Sequence, residues 1–192
     1  MKRQLLTAVW MTLATTVLLG IVYPLAVTGA AQLLFHDKAN GQLLHRNGQL
    51  IGSRILGQQF SGPGYFHPRP SAAGDGYDAA NSGGTNYAAT NARLVERVRA
   101  NVAGLQRENP DTPVPADLVM ASASGLDPEI SIAAAEFQVP RVARERHMTT
   151  ESLAALVRSC TRNRQLGFLG EPGVNVLQLN LALDAGAAQC GR

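Results

Sequence analysis

The segment Ser82-Gly83-Gly84 is the part of the sequence whose residue types could bind a phosphate group. Glycine lets the backbone approach a ligand closely, and amide groups just ahead of a helix attract phosphates. A glycine turn before a helix has the same composition, and three residues are a weak signal. The sequence therefore leaves two interpretations open, a transient ATP contact at these three residues and a plain turn.

Sequence motifs that would indicate an enzyme or a metal protein are absent. There is no GxxxxGK[ST] phosphate loop, no HExxH and no G-x-S-x-G turn. The four histidines are scattered, and we expect each of them at the surface or in packing: His36, His45, His67 and His147. We predict no catalytic residue, no metal site and no tightly bound cofactor.

The chain has two cysteines, Cys160 and Cys190. Their spacing is not the CxxC of a zinc or redox motif. Outside the cytoplasm they could form a disulfide. The sequence leaves both possibilities open, a bridge and two separate buried thiols.

Residues 143–153 have the spacing of a helix-turn-helix motif. Small Ala143, a turn at His147 and apolar Leu153 fall where that motif needs them. The second helix would begin beside the acidic Glu151, which is unfavourable next to phosphates. We therefore favour a plain pair of packed helices, and a membrane-tethered DNA-binding protein is the alternative function.

An uncharged run stands at the start of the chain. Residues 4–35 contain no charged residue and no histidine, although charged residues make up 16% of the sequence. About 20 apolar helical residues span a bilayer, so the run is long enough even if Pro24 kinks it. The apolar core of a cleaved signal peptide is shorter, and a buried soluble helix is rarely uncharged on every face. We predict an uncleaved membrane anchor over residues 1–35.

The charges beside the anchor predict its orientation. Lys2 and Arg3 precede it, which favours an N-terminus in the cytoplasm and residues 36–192 outside. Asp37 and Lys38 follow it, so the difference in charge is small. Lys2 and Arg3 are two of the 17 basic residues of the chain, and the basic residues that remain nearly balance its 14 acidic ones. The composition therefore does not indicate a binder of nucleic acid.

Residues 36–192 are predicted to form a soluble α+β domain. Asn47-Gly48 predicts a hairpin with a type I′ turn. Glycines, prolines and aromatics crowd residues 57–87, which indicates an ordered, functional loop rather than a flexible linker. Near the end of the chain, the roughly alternating apolar residues of 174–183 predict one or two buried strands.

Three helices are predicted from capping residues and apolar periodicity. The first begins near Thr90 and continues through Leu105. Ser131 caps the second, and the third begins at Thr149 or Thr150. These helices and the short strands together make up the α+β domain.

Three segments taken together resemble one family, the C subunits of bacterial Kdp potassium-transporting ATPases. They are GYFHPRPSAAGDGYD (64–78) followed by SGGTN (82–86), ASASGLDPEIS (121–131) followed by QVPRVA (138–143), and GVNVLQLN (173–180). The resemblance covers nearly the whole chain. Glu129 stands where the family often has histidine.

The resemblance implies an accessory subunit of a complex in the bacterial inner membrane. Its partners would be a channel-like A subunit that handles K⁺, a P-type ATPase B subunit and a small F subunit. The resemblance implies two conflicting mechanisms for the C subunit. In one, the C subunit is a catalytic chaperone that raises the ATP affinity of the B subunit, with Ser82, Gly83 and Gly84 as candidate contacts for transient ATP. In the other it assembles or stabilises the complex, which the predicted orientation favours.

Five polar residues are candidates for contacts that fix the fold or form an interface. An alternative role for each is to satisfy backbone groups in the glycine-rich loops. They are Arg69, Asp75, Asn86, Asp127 and Arg141.

Overall fold

The computed structural model describes residues 1–187, 189 and 190. The chain divides into two compact units, residues 1–51 and the residues from Gly52 onward. The first unit holds the N-terminal helix and most of a hairpin. The second holds the mixed domain.

The N-terminal unit begins with one long helical run. Helix α1 (Lys2–Val17) passes through a π-helical turn (Leu18–Val22) into α2 (Tyr23–Leu34). Pro24 has no N–H to donate to the preceding turn, and the wider π turn lies where that hydrogen bond is missing. The run has 33 residues, its most apolar 18-residue window has a mean hydropathy of 2.1, and none of its residues is buried. It is long and apolar enough to cross a bilayer.

A short helix and a hairpin follow. They are α3 (His36–Ala39), β1 (Leu43–Arg46) and β2 (Gln49–Ser53), and the two strands pair with each other. Asn47 and Gly48 have φ values of 52° and 78°. Both turn residues are therefore left-handed, as the Asn-Gly pair predicted.

The first three α-helices of the domain are α4 (Ala92–Glu108), α5 (Ile132–Arg146) and α6 (Thr150–Ser159). Ser131 and Thr149 cap α5 and α6 as predicted, by accepting hydrogen bonds from Ala134 N (3.0 Å) and Ser152 N (3.2 Å). The predicted cap at Thr90 is wrong by one residue. The side chain of Asn91 accepts from Arg93 N at 2.9 Å instead.

The domain has a small antiparallel sheet of three strands. They are β3 (Glu129–Ile130), β4 (Thr161–Arg162) and β5 (Gly173–Asn175), in the order β3-β5-β4. Val174 in the central strand lies opposite Ile130 on one side and Thr161 on the other.

The prediction of strands over 174–183 is wrong for most of that segment. Only its first residues belong to β5, and α7 (Val176–Asp184) follows at once. The side chain of Asn175 starts this helix by accepting a hydrogen bond from Gln178 N at 3.0 Å. Six of the nine helix residues are buried, and a helix buried on most sides shows no clear 3.6-residue period.

One apolar core joins the sheet and the helices of the domain. Its buried members are Phe66, Leu118, Ile130, Ala134, Ala135, Phe137, Val139, Val142, Ala143, Leu153, Leu156, Val157, Val174, Val176, Leu179, Ala182 and Leu183. They come from α5, α6, α7 and the sheet, together with Phe66 from the loop of residues 57–87 and Leu118 from the short 3-10 helix Ala116–Leu118. The predicted α+β class, an apolar N-terminal helix followed by a small mixed domain, is confirmed.

Candidate functional site

The loop of residues 57–87, called here the anchored loop, carries most of the candidate residues. Its Ser82 hydroxyl and Gly83 N–H both donate to the carbonyl oxygen of Ser124, each at 2.9 Å. A Cβ at Gly84 would lie 2.9 Å from the carbonyl oxygen of Ala123. The Ser-Gly-Gly segment therefore packs against the turn at 122–125. The next α-helix begins only at Ala92.

This geometry limits what the Ser-Gly-Gly segment offers a phosphate. Two of its donors are engaged by the chain's own backbone, and they do not stand at the start of a helix, where phosphates are attracted. The ATP contact of Ser82, Gly83 and Gly84 stays a prediction.

A second anchor joins Arg69 to Asp127. The Arg69 guanidinium lies 2.9 Å from a carboxylate oxygen of Asp127, and both side chains are partly exposed. The other carboxylate oxygen accepts from Glu129 N at 3.1 Å. Tyr77 donates its hydroxyl to the Arg69 carbonyl at 2.6 Å, and burial raises the pKa of Tyr77 to about 12. The pair fixes the loop to the segment that leads into β3.

Ser71 is a hydrogen-bond centre that the sequence analysis missed. Its hydroxyl donates to the Gly125 carbonyl at 2.6 Å and accepts from Ala73 N and Tyr77 N at 3.2 and 2.8 Å. Gly125 has a φ of 69°, and a Cβ there would lie 2.7 Å from the Ala73 side chain. The position therefore requires glycine for both conformation and space.

Arg141 on α5 is buried and binds the anchored loop through several atoms. It donates to the carbonyl oxygens of Pro63 and Tyr65, and to the side-chain oxygen of Gln138 at 2.8 Å. Its Nε lies 2.9 Å from a carboxylate oxygen of Glu108. Burial lowers the pKa of Arg141, and Glu108 opposes that shift. The guanidinium therefore joins α4, α5 and the loop at one buried point.

Two buried amide side chains, Gln138 and Asn180, were missed as anchors. Asn180 accepts from Phe66 N at 2.9 Å and donates to the Phe66 carbonyl at 3.0 Å. Gln138 does the same for His67, at 2.7 and 3.1 Å. Each amide thus pairs both the N–H and the carbonyl of one loop residue, as a neighbouring strand would do in a sheet. In the sequence, the only sign of these anchors is that each is a polar residue among the apolar residues of a helix.

Two of the candidates are not brought into this cluster. Asp75 and Asn86 are both exposed, and Asn86 is left-handed with a φ of 52°. A role for them in an interface stays a prediction. Across the part of the chain that the structure describes, no three His, Cys, Asp or Glu residues group where they could hold a metal ion.

The helix pair α5–α6 has a left-handed turn at His147, whose φ is 54°. Met148 N donates to the Ala143 carbonyl at 2.9 Å and closes the turn. The inner faces of both helices lie in the apolar core. Glu151 is exposed in the first turn of α6, where it would repel phosphates. Nothing in the described residues favours DNA binding.

Cys160 and Cys190 form a disulfide, with a Cα–Cα distance of 5.0 Å. The bridge joins the end of α6 to the last part of the chain. It decides between the two possibilities that the sequence left open.

Fold and site together define a class of protein. Its described residues form an N-terminal apolar helix that is long enough to cross a bilayer, and a small disulfide-bonded α+β domain that contains the anchored loop. Residues 5–185 match the protein family described as K⁺-transporting ATPase, c chain. The chain belongs to this family, whose members are subunits of a P-type ATPase complex.

The chain is also similar in sequence to individual relatives over almost their full length. The chain is 61% identical over 184 residues to the potassium-transporting ATPase KdpC subunit of Koribacter versatilis, covering 96% of this chain and 95% of that protein. It is 56% identical over 187 residues to the KdpC subunit of Mycobacterium bovis, covering 96% and 99%. With the KdpC subunit of Rhodospirillum rubrum it shares 53% identity over 186 residues, covering 96% of both. These matches confirm the family resemblance.

Proposed function

We propose that this chain is a non-catalytic accessory subunit that assembles or stabilises a potassium-transporting ATPase in the bacterial inner membrane. Its family supports membership of that complex. Its partners would be the A subunit that handles K⁺, the ATP-hydrolysing B subunit and the F subunit. The long apolar helix supports an anchor, because none of its residues is buried within the chain.

The observation that carries the proposal is the disulfide between Cys160 and Cys190. Disulfides persist in oxidising compartments such as the periplasm and are rare in the cytoplasm. Lys2 and Arg3 ahead of the apolar helix favour a cytoplasmic N-terminus. Two independent arguments, redox chemistry and charge, thus support a periplasmic domain.

This placement favours the assembly role over the ATP chaperone. A hydrocarbon layer of about 30 Å would separate the domain from cytosolic ATP. In addition, the donors of Ser82 and Gly83 are engaged by the Ser124 carbonyl. A periplasmic domain acts on its partners by contact, without binding the nucleotide.

Fusing alkaline phosphatase after residue 192 tests the side of the membrane. We expect an active fusion, because that enzyme matures only in the periplasm. A fluorescent protein that folds only in the cytoplasm, fused at the same position, is the matched control and should stay dark. The opposite pattern would refute a periplasmic domain.

Co-expression tests the role itself. We expect the A, B and F subunits to co-purify with the tagged chain, and to yield less intact complex when the chain is omitted. An azido-ATP analogue applied to the purified chain tests the chaperone mechanism. Photolabelling that Ser82→Ala and Gly84→Ala abolish would favour ATP binding and contradict the assembly proposal.

A further inference from the structure

A second loop of the domain, residues 163–171, exposes apolar side chains to solvent. This segment is called here the apolar loop. Leu166 is 83% exposed, Phe168 69% and Leu169 47%. Leu166 and Phe168 are the most exposed large apolar residues described from Gly52 onward. Apolar side chains grouped in this way mark a surface that contacts another molecule.

The apolar loop holds its shape through its own backbone. Gln165 and Leu169 exchange two N–H to carbonyl hydrogen bonds, both 2.9 Å long, and Phe168 N donates to the Gln165 carbonyl at 3.2 Å. Leu166 and Gly167 are left-handed, with φ values of 53° and 83°. These hydrogen bonds lie within the loop, so contact of its apolar side chains with another molecule need not break them. A preformed tip also has little conformational entropy to lose on binding.

The charges around the apolar loop distinguish a protein partner from a lipid surface. Arg164 pairs with Glu171 at 2.8 Å, and Arg162 pairs with Glu129 at 2.6 Å. These four charges cancel, and the Glu171 side chain remains 81% exposed. Segments that bind anionic membranes carry an excess of Lys and Arg on their polar face. An apolar centre with a charge-balanced polar rim is the anatomy of a protein–protein contact.

We propose that the apolar loop docks into an apolar pocket on another subunit of the potassium-transporting ATPase, with Leu166 and Phe168 as its anchors. The pocket accepts one leucine and one phenylalanine side chain, and its rim offers an acceptor to Arg164 and a donor to Glu171. This inference rests on the proposed membership of the complex. The loop supplies the central contact of an interface, where a few buried apolar anchors carry most of the binding energy.

A photoreactive amino acid at position 168 tests the contact in the assembled complex. The full-length chain carrying Phe168→p-benzoyl-phenylalanine is co-expressed with the other subunits, purified and irradiated. We expect a covalent adduct with one subunit, at least about fivefold above that of a matched probe at Met120, which is 40% exposed. Mass spectrometry of the adduct identifies the partner. A second probe at Leu166 repeats the test in case the probe at 168 hinders docking.

The outcomes separate this inference from the proposed function. If the unmodified chain does not co-purify with the other subunits, membership of the complex is refuted. If it co-purifies but the probes at 166 and 168 give adducts only with lipid, the apolar loop contacts the bilayer and the docking proposal is overturned. Adducts no more abundant than those of the Met120 control overturn it as well.

Discussion

The anchored loop and the apolar loop each contain glycine, and each places one phenylalanine in the opposite environment to the other. In the anchored loop, Phe66 is fully buried in the core. In the apolar loop, Phe168 is 69% exposed. Both loops combine glycine, a large apolar residue and an arginine, so composition alone does not determine which aromatic is buried.

The difference lies in where each loop finds its hydrogen-bond partners. The anchored loop receives side chains from helices α5 and α7, namely Gln138, Arg141 and Asn180. The apolar loop pairs its backbone within itself, between Gln165 and Leu169. A loop held by distant side chains is drawn into the core, whereas a loop that closes on itself can project its apolar tip.

Removing Arg141 should disturb the anchored loop most strongly. Arg141→Ala leaves the Glu108 carboxylate and two loop carbonyls without their partner, so we expect a loss of about 3–5 kcal/mol in the free energy of unfolding. Urea unfolding of the full chain in detergent, followed by circular dichroism, measures it. Arg144→Ala, on the exposed side of the same helix, is the control and should change stability by less than about 0.5 kcal/mol. Equal effects would mean that Arg141 is not a structural anchor.

Asn180→Ala tests the amide anchor under Phe66. The substitution leaves the Phe66 N–H and carbonyl unpaired in a buried site, and each such group costs about 1–3 kcal/mol. We expect a loss of roughly 2–4 kcal/mol in the same unfolding measurement. Gln178→Ala on the same helix is the matched control, because Gln178 is partly exposed. A stability like that of the control would show that Phe66 is held by apolar packing alone.

The anchored loop should also weaken in mild acid, through His67. Burial and the nearby Arg141 charge lower the pKa of His67 below its ordinary value of 6.5. Between the folded and unfolded pKa values the unfolded chain binds more protons, so stability falls as the pH drops through 6.5. Unfolding at about pH 7.5 and pH 5.5 should show a larger acid-induced loss for the wild type than for His67→Gln. Identical losses would contradict the assignment.

The smallest effect on stability is expected in the apolar loop. Phe168→Ser removes a side chain that is already mostly in water, so the free energy of unfolding should change by less than about 0.5 kcal/mol. Thermal unfolding followed by circular dichroism checks this. If Phe168→Ser lowered the free energy of unfolding as much as Asn180→Ala, the conclusion that only the anchored loop contributes to stability would be wrong.

Local signals in the sequence predicted much of the fold. The Asn47-Gly48 turn and the caps at Ser131 and Thr149 were found, because each depends on residues within a few positions. The segment 174–183 was assigned to strands although most of it is helix α7. Its burial on most sides removed the periodicity that separates the two structures.

The candidate site was predicted only in part. Arg69 pairs with Asp127, and Arg141 donates to carbonyls of the anchored loop, so these three residues do make contacts there. Their role stays a prediction, and the sequence did not single out Ser71, Gln138 or Asn180. The partners of Gln138 and Asn180 lie 71 and 114 positions away in the chain. No local pattern marks a side chain whose partner is so distant.

The sequence by itself determined the apolar helix and the family of the chain, because hydropathy and residue identity need no knowledge of contacts. Only the tertiary structure decided that Cys160 meets Cys190, that the donors of Ser82 and Gly83 face the Ser124 carbonyl, and that Phe66 is buried while Phe168 is not. Each of these depends on groups far apart in the chain, which the fold alone brings within bonding distance.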